Sequence, residues 1–183
     1  MRSVALVLLF SGAASTTLRG QVSVRAPSAS ETRLYARTLS MTDSRTFNRA
    51  VVDSALATTW SPLRAAAALA IGQLGSAHGL PGATTLRELL RDVDRQVASN
   101  AAYALGLLRD SASVPALERA LAGTPRVARE AAWALGEIGA PARAAILRGL
   151  ASPGADDARM MQLLLAAAKL RPVPVAELRP YLA

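Results

Sequence analysis

Between residues 63 and 136, apolar and small residues return in one helical phase. Three segments align without gaps: LRAAAALAIG from Leu63 to Gly72, VASNAAYALG from Val97 to Gly106, and VAREAAWALG from Val127 to Gly136. Each opens on an aliphatic residue and carries alanine four, five and seven positions on. Leucine or isoleucine follows at the eighth position and glycine at the ninth. Apolar residues spaced three and four apart predict amphipathic helices. A weaker fourth copy runs from Ala158 to Ala167. The glycines lie 34 and 30 residues apart, and the step to Ala167 is 31. A period in the low thirties is that of one helix–turn–helix unit.

Shorter helical stretches alternate with these segments: Thr85 to Arg91, Val114 to Ala122 and Ala142 to Leu150. Pro115 and Pro141 stand near the starts of two of them, where a missing N–H costs nothing. Turn residues separate the helices at 92–94, 123–125 and 152–154, and Asp94 and Thr124 are positioned to cap the helices that follow. Residues 32–41 and 44–57 also read as helical, the latter as the first partner helix, and Val175 to Leu182 reads as a single terminal helix. The recurring Gly72, Gly106 and Gly136 lower helix propensity by about 1 kcal/mol each, so their common register predicts a close approach between helices or the end of a helix turn. Units that cannot bury their apolar face alone stack into one continuous core.

Composition agrees with this picture. The 183 residues include 40 alanines and 28 leucines, with aromatics at 4%. Strong helix formers without β-branched and aromatic enrichment point to an all-α fold, and the apolar content excludes a disordered chain. Twenty arginines and one lysine against 13 acids give a formal charge of +8. Such a balance favours acidic partners, but scattered arginine also keeps an alanine-rich surface soluble. The absence of cysteine excludes disulfides and thiolate metal sites, and a single histidine, His78, excludes multi-histidine metal clusters.

The blocks VAREAAWALGEIG (127–139), VASNAAYALGLLR (97–109) and SVPALERAL (113–121) resemble HEAT repeats, specifically the alanine-rich HEAT-like repeats of phycobilin lyases. The resemblance covers roughly residues 44–170. It implies an α-solenoid of about four helical hairpins, each with an outer helix A and an inner helix B, the glycine-bearing segments being the B helices along the concave face. It further implies a ladder between units, made of aspartate before helix B and arginine just after its first aliphatic residue. Asp94 matches the first position and Arg64 and Arg159 the second, while Ala98 and Ala128 depart from it.

No nucleotide-binding signature is present: the glycines around Gly72 and Gly75 lack the strand-to-helix context and the lysine that a phosphate loop needs. His78 and Ser76 share an inter-repeat loop with no acid placed beside them, and the pairs Asp92/Asp94 and Asp156/Asp157 suit helix N-termini rather than acid–base catalysis. No catalytic residue, metal site or cofactor is therefore expected. At 100° per residue, positions two, three, six and ten of each B segment share a face opposite the alanines. The sixth position gives the column Leu69, Tyr103, Trp133 and Leu164. Around it stand Gln73, Ser99, Asn100, Arg129, Glu130, Glu137, Met160 and Met161. Aromatic, methionine and arginine enrichment is typical of protein-binding surfaces, although Tyr103 and Trp133 could equally pack between repeats.

The expectation is a non-catalytic scaffold gripping a protein or peptide. The alternative is electrostatic binding of nucleic acid or another polyanion, which the scarcity of arginine on the B helices disfavours. At the N-terminus, Arg2 precedes the apolar run Val4 to Phe10 and the small residues 11–15, the order of a secretory signal and too short to span a bilayer. The resulting organisation is a signal peptide at 1–20, a linker and capping helix at 21–43, the repeat solenoid at 44–170 and a C-terminal capping helix at 171–183. Loss of Arg2 and Arg19 would leave +6 on an exported, periplasmic or secreted chain with no membrane span.

Overall fold

The computed structural model describes residues 25–78, 82–152 and 156–181, with side chains omitted at 76–78. The signal-peptide reading of residues 1–20 and the side chains of Ser76 and His78 thus lie outside the described residues. Within them the fold is all-α. Its helices are α1 (Ala29–Asp43), α2 (Arg49–Leu56), α3 (Ser61–His78), α4 (Gly82–Leu89), α5 (Arg95–Leu108), α6 (Val114–Ala120), α7 (Pro125–Ile138), α8 (Arg143–Ala151), α9 (Asp157–Lys169) and α10 (Val175–Leu178).

These helices form two rows. The B row runs α1, α3, α5, α7, α9, each helix packed on the next, and the A helices α2, α4, α6 and α8 each pack on the B helix that follows. The result is an α-solenoid with one apolar core between the rows, from Met41 on α1 to Leu178 on α10. Every repeating alanine is buried: Ala68 and Ala70, Ala101, Ala102 and Ala104, and Ala131, Ala132 and Ala134 lie in this core, and Ala67 packs with Ala55 and Leu63 in a smaller cluster beside it. The leucines between them, such as Leu74, Leu105 and Leu135, are fully buried, each worth about 1.5–3 kcal/mol in area removed from water.

The recurring glycine has a steric cause. A β-carbon on Gly72 would lie 2.6 Å from the Ala104 Cα, one on Gly106 2.8 Å from the Ala134 Cα, and one on Gly136 2.9 Å from the Ala166 Cα. Each glycine thus faces the backbone of the next B helix across a contact with no space for a methyl group. Glycine on one helix against alanine on the next sets the spacing of the whole row.

Capping follows the sequence in part. Asp94 caps α5, its carboxylate accepting from the Gln96 N–H at 2.8 Å. Thr124 occupies the cap position of α7, but its hydroxyl is buried without a hydrogen-bond partner and caps nothing. The stretch 44–57 is helical only from Arg49, with Asn48 as its cap, because Arg45 turns left-handed (φ 54°) after α1. The terminal stretch gives a single four-residue turn, α10, followed by a 3-10 turn at Arg179–Tyr181.

The ladder also needs correction. Arg64 pairs with Asp92, not Asp94: its Nε and Nη2 each donate to the Asp92 carboxylate at 3.0 Å, and its Nη1 donates to the Thr58 carbonyl at 3.1 Å. Asp94 is occupied as the cap. Among the described residues Arg159 meets no acid; its Nη1 donates to the Leu121 carbonyl at 2.7 Å. The reason is register. Caps Asp94 and Thr124 lie three residues before Val97 and Val127, and the cap of α9 is Asp156, so Arg159 itself stands at the position that is aliphatic elsewhere. Gly136 facing Ala166, as Gly106 faces Ala134, gives the same one-residue shift.

Candidate functional site

The outward face of the B row is where the predicted residues lie, and the structure sorts them. Tyr103 on α5 and Trp133 on α7 stack, ring centroids 4.5 Å apart and planes 22° from parallel. Both rings are half-buried. The Trp133 ring lies against Gly106, where a β-carbon would meet its Cζ3 at 2.6 Å, so the glycine also seats the indole. The Lys169 ammonium lies 5.9 Å from the Trp133 ring centroid, within cation–π range. The two aromatics therefore pack between repeats and also keep an open edge.

Because α9 is shifted by one residue, Leu164 is not the fourth member of the column. It is half-buried against the core, and Leu165 takes the equivalent outward place at 49% exposure. Met161 is on the open face at 57% exposure. Met160 packs partly against the core, and Ser99 is buried, so neither belongs to the open surface.

The polar residues around the column are largely engaged. The Asn100 Nδ2 donates to the Ala65 carbonyl of α3 at 2.9 Å, and its Oδ1 accepts from the Gln96 Nε2 at 2.7 Å. Glu137 receives the Lys169 ammonium and, at 3.4 Å, the Arg109 guanidinium. The hydrogen bond from Lys169 is the main reason its carboxyl is held below the usual carboxylate range, against a smaller opposing effect of burial. Arg129 and Glu130 approach at 3.5 Å on the solvent side. Gln73 is exposed.

At the N-terminal end α1 adds a wall that sequence reasoning missed. Tyr35, Thr38, Leu39 and Thr42 of α1 face Leu69, Gln73 and Asn100 across a hollow of about 270 Å³. Leu39 is 47% exposed there. Nothing in α1 repeats the alanine–glycine motif, and only its position before the first A helix hinted that it joins the B row. Among the described residues no group of His, Asp or Glu is arranged to hold a metal ion, and no helix is long and apolar enough to cross a membrane.

Two family models match the chain. The model for HEAT repeats matches residues 82–167, and that for the PBS lyase HEAT-like repeat matches residues 63–92. Together they span more than half of the chain and coincide with α3 to α9. The chain belongs to the HEAT-repeat family. No curated protein matches it. In this HEAT array the two matches meet on α4, inside the second helical pair, so both kinds of repeat description apply to one continuous stack.

Proposed function

We propose that this HEAT array is a non-catalytic scaffold that binds a protein or peptide along the B-helix face, which we take as its concave side. HEAT repeats commonly serve as protein-interaction scaffolds, and that family role supports the reading. The observation that carries it is the ridge of Leu69, the Tyr103–Trp133 stack, Leu165 and Met161, continued at one end by the hollow under α1. Partly exposed aromatics and aliphatics rimmed by Arg129, Glu130 and Glu137 have the make-up of a protein-binding surface. The close glycine–alanine contacts draw the B helices together and favour curvature toward that row.

The polyanion alternative gains little from this face, where Arg129 lies beside Glu130 and Lys169 beside Glu137. We further propose that the chain is exported after removal of an N-terminal signal; N-terminal sequencing of the mature protein checks this, and an intact Met1 in the exported fraction would contradict it. The binding reading is tested by affinity purification from the producing cell with mass spectrometry, using wild type beside Met161→Glu and Leu165→Glu. Both residues are substantially exposed, so the substitutions alter the ridge without emptying the core. The expected result is a partner lost by both variants; recovery at wild-type levels would sink the proposal.

A further inference from the structure

The ladder is interrupted at Ala98, and the gap is not closed over. Arg64, one residue after Leu63, spans from the turn of its own unit (Thr58) to that of the next (Asp92). One unit on, the equivalent position is Ala98. The space between the two turns, which a guanidinium fills in the preceding unit, is an open cleft of about 640 Å³. Ala98, Ala116 and Ala120 leave it hollow. Arg91, Arg95 and Arg119 line it.

The charges there are unbalanced. Among the described residues the side chains of Arg91 and Arg95 have no hydrogen-bond or ion-pair partner, and Arg119 donates only to the Pro115 carbonyl of its own helix, at 3.2 Å. Asp92 is engaged by Arg64, and Arg87 is engaged by Asp110 at 2.7 Å, which leaves Glu88 as the cleft's one acid without such a partner among the described residues. The far wall carries Thr124, whose buried hydroxyl has no partner, at the start of α7. Thr124 makes no side-chain cap bond, so the first-turn N–H groups of α7 beyond Pro125, which itself has none, keep their preference for an anion.

We propose that this cleft is a site for a phosphate group, either free or as the monoester of a small molecule. Three guanidiniums offer forked donors that match the oxygens of phosphate, and a dianion neutralises what a single carboxylate would leave uncompensated. The site is built from A helices and turns and does not rest on the B-face reading.

Titration calorimetry of the full chain at low ionic strength, with inorganic phosphate and with glycerol phosphate, tests it. The expected result is a single saturable site weakened about tenfold by Arg95→Ala or Arg119→Ala, the loss of one charge-assisted hydrogen bond. Ala98→Met, which fills the cleft at constant charge, weakens it as well, with helicity by circular dichroism verifying the fold. Arg33→Ala removes the same charge from α1, away from the cleft, and leaves binding unchanged. Tighter binding of the ester assigns a monoester and tighter binding of phosphate the free ion, and both support the site. Absence of saturation, equal affinity for succinate, or equal weakening by Arg33→Ala overturns it.

Discussion

At the residue scale, a β-carbon at Gly106 would lie 2.6 Å from the Trp133 Cζ3 and 2.8 Å from the Ala134 Cα. Two effects oppose each other at that position. Alanine is the better helix former by about 1 kcal/mol, whereas forcing extra volume into a close-packed contact costs about 1–3 kcal/mol. One of the atoms in the way is backbone, which cannot rotate aside, so packing wins. Gly106→Ala is expected to lower stability by about 1–2 kcal/mol in thermal or denaturant unfolding; an equal or higher midpoint would contradict the glycine–alanine contact. This much was legible in the sequence, since three glycines in one register call for a steric reason. What the register could not supply was the partner. That Gly106 also seats the indole of the following unit, whose ring stacks on Tyr103 of the glycine's own helix, depends on a side-chain conformation the register does not carry.

At the scale of elements, helix caps carry more information than helix interiors. The run ARMMQLLLAAAK in α9 contains so many leucines and alanines that its interior fits two adjacent registers, one of which sets Leu164 level with Trp133. Asp156, three residues before Arg159 as Asp94 is before Val97, fixes the other register and brings Leu165 outward. The signal was present at the cap and masked in the interior. Helix α1 shows the same principle. Ser28 and Glu31 form a capping box, the Ser28 hydroxyl accepting from the Glu31 N–H at 3.2 Å and Glu31 accepting from the Ser28 N–H at 2.8 Å. The Arg25 guanidinium also donates to Glu31, at 2.6 Å. That bond first, and the Ser28 N–H second, push the Glu31 carboxyl down to about 2. A lowered carboxyl favours the folded state above the ordinary glutamate range, and the contribution fades as pH falls toward about 2. Carbon-13 NMR titration is expected to show Glu31 still ionised where free glutamate has taken up its proton; a midpoint in the ordinary range would mean the Arg25 contact does not persist.

For the molecule as a whole, the arginine-rich composition acquires a structural meaning. Ion pairs run from one unit to the next: Arg64 to Asp92, Arg109 and Lys169 to Glu137, Arg148 to Glu118, and Arg143 to Glu177 beside α10. Five of the 21 cations therefore tie successive units together, and Arg91 and Arg95 stand without such a partner among the described residues beside the cleft at Ala98. The fold class, the repeat boundaries and the A–B alternation could be read from the chain because each unit repeats its own local signals. The surfaces could not, because they arise where units differ: α1 walling the groove, Ala98 opening the ladder, α9 one residue out of phase. The central claim, that the B-face ridge grips a partner, is tested most directly by site-specific photo-crosslinking in the producing cell, with a photoreactive phenylalanine at position 165 on the ridge or at position 119 on an A helix. The account predicts a discrete crosslinked protein from position 165 and none of that species from 119. The same species from 119 alone would place the contact on the A row and contradict it.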